Sequence, residues 1–390
     1  MPRGPANASA RALATRARDG TIRASMARKD RPLPEAAPAS FAPKLDLPPK
    51  RVLVKEVNWL GDVVMSLPAL RAVRASFPEA KLSVLVKQEL ASFFDGFGWL
   101  DEVLPYKVRK GWAGWGDRRR IVGDLRARQF DLAVLFPNSF ESAFWPALAG
   151  VPRRAGFARD ARGLLLTHKT GPTAAILEVH QVHYYLHMLR HTLGVEGDPK
   201  DFAVDVSAAH TESMRAWLAA RRKRPAGKLV ALAVAAAYGP AKEWPAARFA
   251  ALADLLARRH GAECVLVGAP NERRKSDDVA ALTASGALVA AGETSVGEAL
   301  ALLNLCDAFA GNDSGSMHVA GALGKPTVGI YGSTRADRTG PLGERTRIVY
   351  KKIECSPCLQ RTCRYGHYDC LNRIEAEEVC AELERLGVFG

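Results

Sequence analysis

Two Rossmann-like α/β halves of similar size, facing each other across a cleft, are what this chain predicts. Short β-branched runs alternate with helical periods from Arg51 onward, and the alternation restarts after the basic linker Arg221-Arg-Lys-Arg-Pro-Ala-Gly227. A length of 390 residues gives each half room for a full core. Ligands are expected between the carboxyl ends of the two sheets.

In chain order, residues 1–49 are Ala-, Arg- and Pro-rich without an apolar period and read as a disordered basic extension. Arg51-Val-Leu-Val-Lys-Glu-Val57 is a buried strand that enters Asn58-Trp-Leu-Gly-Asp62 and a helix over Val63 to Phe77. Strands at Lys81 to Val86, Asp131 to Phe136 and Gly150 to Gly156 alternate with helices at Trp115 to Arg128, Glu141 to Ala149 and Glu178 to Leu193. The first domain is set at 50–205 and the linker at 206–227, with a helix over His210 to Lys223. The second domain, 228–353, has strands at Leu229 to Ala235, Glu263 to Gly268, Ala287 to Ala290, Ala308 to Gly311 and Thr327 to Tyr331. Its helices are Ala246 to His260, Arg273 to Ala284, Ser295 to Leu305 and Ser316 to Leu323. Residues 354–390 form a Cys-rich segment and a last helix, Ile374 to Leu386, a candidate to pack back on the first half.

A hydrophobic share of 48% with 25% charged residues suits a globular protein, and no apolar run reaches the roughly 18 to 20 residues of a membrane span. The net charge is +14, of which +6 lies in residues 1–50. Such a balance favours acidic partners: nucleotide phosphates, anionic lipid or nucleic acid. Nucleic acid is not expected, because neither a recognisable module nor the interleaved aromatic and basic pattern of single-strand binders is present. Seven cysteines without a signal peptide point to free thiols in a reducing compartment.

The chemistry gathers at strand ends. Gly311-Asn-Asp-Ser-Gly-Ser-Met-His318 reads as a strand, turn and helix start, where Asp313 or Ser314 can cap, Gly315 removes bulk, and free N–H groups aim at an anion. His318, on the first turn, can donate to that anion or simply pack. Asp62 ends the first βα turn, as a general base for a hydroxyl, as the N-cap of the following helix, or as both. Neither G-x-G-x-x-G nor G-x-x-x-x-G-K-[ST] occurs, so a dinucleotide oxidoreductase and a P-loop NTPase are not expected. In Ala235-Ala-Ala-Tyr-Gly-Pro-Ala-Lys-Glu-Trp-Pro245, small residues let backbone approach a ligand and Lys242 can reach a phosphate. Glu272, after a strand, can accept from ribose hydroxyls or cap Arg273 onward.

Asn58-Trp-Leu-Gly-Asp62, Phe136-Pro-Asn-Ser-Phe140, Gly239-Pro-Ala-Lys-Glu-Trp244, Gly311-Asn-Asp-Ser-Gly-Ser-Met-His318 and Tyr331-Gly-Ser333, in this order, resemble the ADP-heptose:lipopolysaccharide heptosyltransferases of glycosyltransferase family 9, and the type II members most. The resemblance runs from about Arg51 to the C-terminus. It implies a GT-B fold and transfer of L-glycero-D-manno-heptose from ADP-heptose to a heptose of the lipopolysaccharide inner core. A heptosyltransferase for another core position, a related enzyme using another nucleotide sugar, and a sugar-nucleotide epimerase of the same fold are the alternatives. It further implies that Asp62 is the base, that Lys242, Ser314 and Gly315 hold the diphosphate with Tyr238 beside them, that Asp313 faces the donor heptose, that His318 lies near the diphosphate, and that Glu272 binds the nucleoside. Inversion at the anomeric carbon needs one base and stabilisation of the departing ADP, so neither cofactor nor metal is expected. The family's Pro-Gly-Ala is here Ala235-Ala-Ala237, which alters the backbone path beneath the diphosphate. The partners implied are ADP-heptose, the lipid A–core acceptor and the anionic inner leaflet, with the enzyme cytoplasmic and peripheral at the inner membrane of a Gram-negative bacterium.

Asn138, Ser139, Arg153 and Arg154 are assigned to the acceptor side, the arginines pairing with acidic groups of the core or remaining solvated. His180, His183, His187 and His191 share one helical face, but no carboxylate or Cys completes a metal site there. Cys355, Cys358, Cys363 and Cys370 could supply four thiolates to a metal; the spacing departs from paired C-x2-C knuckles, and free thiols are expected.

Overall fold

The structure, a computed structural model, describes residues 47–390. The first 46 residues of the expected disordered extension therefore lie outside the described residues, while Leu47 is tied down through its carbonyl by Arg153 Nη1 at 2.7 Å.

Apolar runs buried on both faces need helices on both sides, and the chain supplies them. The first sheet holds β1 (Arg51–Lys55), β2 (Lys81–Lys87), β3 (Glu102–Tyr106), β4 (Leu132–Leu135), β5 (Arg153–Phe157) and β6 (His168–Thr170), all parallel in the order β3-β2-β1-β4-β5-β6. Its helices are α1 (Leu60–Ser76), α2 (Ala113–Ala127), α3 (Phe140–Leu148), α4 (Ala174–Glu178) and α5 (Gln181–Leu193). After α6 (Ala208–Ala219) the second sheet repeats the plan. Its strands are β7 (Leu229–Ala233), β8 (Glu263–Val267), β9 (Leu288–Val289), β10 (Ala308–Asn312), β11 (Thr327–Tyr331) and β12 (Thr346–Tyr350), in the order β12-β11-β10-β7-β8-β9. With it run α7 (Ala246–His260), α8 (Arg273–Leu282), α9 (Val296–Leu305), α10 (Gly315–Ala322), α11 (Ala336–Thr339), α12 (Asp369–Asn372) and α13 (Ala376–Arg385).

Each sheet reverses its winding between two central strands, β1 and β4 in the first and β7 and β10 in the second. The loops leaving those strands part there and open a crevice. The four loops are the Asp62 turn, Phe136 to Ser139, the Lys242 segment and the Asn312 to Gly315 turn. An apolar cluster runs through both halves, from Val63, Leu67 and Leu70 of α1 to Met317 and Val319 of α10, so the halves share an apolar seam.

The expected elements are found, with shifted ends, and three edge strands were not foreseen. β3 contains Pro105, tolerated only at a sheet edge, β6 has three residues, and β12 carries Arg347 among its apolar residues. The helix expected over Glu178 to Leu193 is two, broken at Val179-His180. The last helix packs on the second half rather than the first. Its apolar stripe, Ala376, Val379, Cys380 and Leu383, joins the core under α7, and the Trp244 indole donates to the Ile374 carbonyl at 3.0 Å.

Asn312, wholly buried at the end of β10, ties the crevice loops of the second half together. Its Nδ2 donates to the Val234 carbonyl and its Oδ1 accepts from Trp244 N–H, both at 2.9 Å. Asn312→Ala orphans two buried groups and is expected to remove about 2–4 kcal/mol, read as a lower urea midpoint; an unchanged midpoint would show that the loops hold by other means.

Candidate functional site between the two sheets

Asp62 is not the cap of its helix. α1 begins at Leu60, with Trp59 at the N-cap, so Asp62 falls inside the first turn, where the helix dipole favours a carboxylate. Behind it the loop is braced by two groups that sequence reasoning missed. Glu56 is fully buried, with Oε2 accepting from Val57 N–H and Ser66 Oγ, each at 3.0 Å. Lys55 Nζ donates to Tyr106 Oη at 2.8 Å, and that hydroxyl donates to Asn58 Oδ1 at 2.9 Å. Burial raises the Glu56 carboxyl and lowers the Lys55 ammonium, each toward its neutral form. The only sign of them in the sequence was a charged Lys-Glu pair at the end of an otherwise apolar strand.

From the second half, Lys242 Nζ stands 2.5 Å from Asp313 Oδ2, with both side chains largely withdrawn from solvent. Thr334 Oγ1 donates to the same oxygen at 2.6 Å. Asp313 thus holds Lys242 instead of capping, and Ser314 occupies the N-cap of α10 without a side-chain cap bond, leaving the amides at the helix start to other partners. The Lys242 ammonium also lies 4.9 Å from the Tyr238 ring, and the Arg361 guanidinium lies 5.1 Å from the same ring.

The two constellations meet. A Cβ on Gly315 would stand 2.8 Å from Leu60 Cβ, and one on Gly61 would stand 2.7 Å from His318 Cδ2, so the N-termini of α1 and α10 abut through glycine. Two bonds between the halves flank the seam: His180 Nε2 to the Gly340 carbonyl at 2.9 Å, and Arg335 Nη1 to Glu178 Oε2 at 2.6 Å. At this junction the Asp62 carboxyl is pushed up to about 6, by burial first; Lys242 draws it down and Asp313 drives it up. Burial, and then the Asp62 charge, holds the proton of the nearby Tyr185 hydroxyl well above the usual range.

The Cys-rich segment supports the second-half wall of this crevice through its backbone. The Arg361 carbonyl accepts from Ala241 N–H at 3.0 Å, the Leu359 carbonyl from Tyr238 Oη at 2.6 Å, and Leu359 N–H donates to Ser333 O at 2.8 Å. Gly239, at φ 139, is the residue that lets the loop pass, since a Cβ would meet the Arg361 carbonyl at 2.7 Å. Cys355, Cys358, Cys363 and Cys370 are all free thiols, and Cys355 Sγ lies 3.9 Å from His367 Nε2. Among the described residues, the group whose ligand atoms lie within 4.8 Å of one another is a different one, His260, Cys380 and Glu384. The helical His face is packed: His180 caps α5, and burial lowers His187 to about 4, with His191 4.1 Å away ring to ring.

Four other candidates sort clearly. Asn138 Nδ2 donates to Tyr184 Oη at 2.9 Å, and Ser139 is the N-cap of α3, so both sit on a crevice loop. Arg153 and Arg154 do not. They open β5, at the amino edge away from the crevice, and their guanidinium groups are taken by the carbonyls of Asp131, Leu47, Leu165 and Val151. The arginine that serves the crevice is Arg162, fully buried, with bonds to Pro137 O, Ser142 Oγ and Phe157 O that fix the Phe136 to Ser139 loop. Glu272 caps locally, Oε2 accepting from Ala269 N–H at 2.8 Å, and burial raises its carboxyl.

Known proteins resemble this chain in sequence and in fold. Glycosyltransferase family 9 (heptosyltransferase) matches residues 118–369. Lipopolysaccharide heptosyltransferase 2 of Salmonella typhimurium is 30% identical over 356 residues, covering 86% of this chain and 98% of that protein. The Escherichia coli protein of the same name is 29% identical with the same coverage. The solved E. coli ADP-heptose lps heptosyltransferase II superposes with a TM-score of 0.74 at 27% identity, over 86% of this chain and 98% of that one.

Removing the ammonium leaves two carboxylates facing each other. Lys242→Met is therefore expected to move the Asp62 carboxyl above about 6, read from its 13C shift against pH; an unchanged midpoint would mean that the two groups do not sense each other.

Proposed function

Since the chain belongs to glycosyltransferase family 9, the heptosyltransferases, and has their GT-B architecture, we propose that it transfers L-glycero-D-manno-heptose from ADP-heptose to a heptose of the lipopolysaccharide inner core, with inversion and without a metal. The observation that supports this most is the junction itself, which sets Asp62 of one half against the Lys242–Asp313 pair of the other, at two abutting helix N-termini.

The acceptor hydroxyl oxygen attacks the anomeric carbon of the donor while the Asp62 carboxylate takes its proton. The bond from that carbon to the diphosphate breaks on the opposite face, and ADP leaves with the electron pair. Positive charge builds on the sugar ring, as in glycoside hydrolysis, and negative charge on the diphosphate. Lys242 and the amides at the start of α10 take up the latter. Asp313 directs the Lys242 ammonium and faces the donor sugar, Tyr238 and His318 flank the diphosphate, Ser314 and Gly315 let it approach, and Glu272 receives the nucleoside. Asn138 and Ser139 line the acceptor side. A carboxyl shifted to about 6 is still ionised at neutral pH and is a stronger base than an ordinary aspartate.

The acceptor is anchored in lipid, so the enzyme works at the anionic inner face of the inner membrane. Among the described residues no helix is long and apolar enough to cross a membrane.

Titration with ADP, GDP and UDP without added metal is expected to show selective ADP binding that weakens at least about ten-fold in Lys242→Ala; preference for UDP, or no nucleotide binding, would sink the donor assignment. Asp62→Asn should cut transfer by about 10²–10⁴-fold and leave ADP affinity unchanged. In the parent, kcat/KM should rise with pH through about 6 as the Asp62 carboxylate forms; a profile flat from pH 5 to 8 would show that another group is the base.

A further inference from the structure

The start of α2 exposes two tryptophans that the site does not use, Trp112 at its N-cap and Trp115 in its first turn. Trp112 is 91% exposed and Trp115 65%, within a stretch, Lys107 to Arg120, that holds six cations against the single acid Asp117. An indole left in water is costly unless something covers it, and among the described residues nothing covers these two. The adjacent helix continues the feature: Phe140 and Phe144 stack at 5.6 Å and are 46% and 37% exposed, and Arg118 Nε bridges α2 to α3 through Glu141 Oε1 at 2.5 Å. Leu164, 94% exposed, follows β5.

These side chains follow β3, β4 and β5. In a parallel sheet their segments leave from one edge, the carboxyl edge that also carries the Asp62 turn. Two of the cations are engaged, Arg109 with Asp117 and Arg118 with Glu141, while Lys107, Lys110, Arg119 and Arg120 stand exposed. Aromatic rings with a polar edge ringed by Lys and Arg match a bilayer interface, where rings sit at headgroup depth and cations meet lipid phosphate.

We propose that the Trp112–Trp115 start of α2 and the Phe140–Phe144 face of α3 form a membrane-docking rim that seats the first half on an anionic phospholipid surface. The proposal rests on the lipid-linked acceptor assigned above and specifies where its bilayer lies: against the rim, so that the acceptor sugar rises toward the Asp62 turn along the same edge. The rim binds lipid headgroups without the acceptor, which separates this surface from the acceptor subsite.

The test uses the full chain and vesicles of phosphatidylethanolamine and phosphatidylglycerol lacking lipopolysaccharide, with phosphatidylcholine vesicles as the neutral control. The parent is expected to float with anionic vesicles, and brominated acyl chains are expected to quench part of its tryptophan emission. Trp112→Ser with Trp115→Ser should lose that quenching and partition about ten-fold less. Lys110→Glu with Arg119→Glu should lose the preference for anionic over neutral vesicles, also by about ten-fold. Both double variants should bind ADP as the parent does, which reports folding and leaves the donor side independent of this result. Unchanged partition of the tryptophan variant, quenching that persists in it, or tighter binding to a single-stranded oligonucleotide than to anionic vesicles would overturn the rim. Loss of ADP binding in the parent would instead count against the transferase reading and leave the vesicle result standing.

Discussion

Two helix N-termini pressed together through glycine are the constraint on which the rest of this structure depends. Each brings a partial positive charge to the seam, and each carries a carboxylate in or beside its first turn, Asp62 on α1 and Asp313 before α10. Lys242 supplies the positive charge that lets both acids stay so close. A buried pair of this kind contributes little net stability, yet losing one partner costs about 3–5 kcal/mol. The pair is better understood as a holder of geometry, and the apolar seam from α1 to α10 is what keeps the halves in contact.

Much of the fold was legible because buried parallel strands announce themselves as short β-branched runs. α7 and β11 fall where periodicity places them, residue for residue. The misses share a cause. β3, β6 and β12 are edge or near-edge strands whose sequences include Pro, His or Arg, because an edge strand meets fewer packing demands. The docking of α13 was misread because an amphipathic stripe tells that a helix is buried on one side and is silent about which half receives it.

At the site, residues at strand ends were readable and residues acting from a distance were not. Asp62, Lys242 and Asp313 stand in the segments that follow β1, β7 and β10, where a strand's carboxyl edge dictates direction. Arg153 and Arg154 show the limit of that logic: they begin a strand, so the same topology that brings Asp62 inward carries them to the far edge. Arg162 and Glu56 left no local motif, and Asn312 lay within one that did not show its bracing role, since their partners lie on other elements and only the folded chain brings them into reach.

The second half also imposes an order on synthesis. The loop carrying Tyr238 and Lys242 is held by Leu359 and Arg361, and Trp244 by Ile374, 130 residues further along. A ribosome adding about 5–20 residues each second needs roughly ten seconds to deliver that distance. Until then the first half can fold as a parallel sheet of its own while the nascent Lys242 loop has no scaffold. The Lys242 face of the crevice is thus among the last features a newly made chain completes.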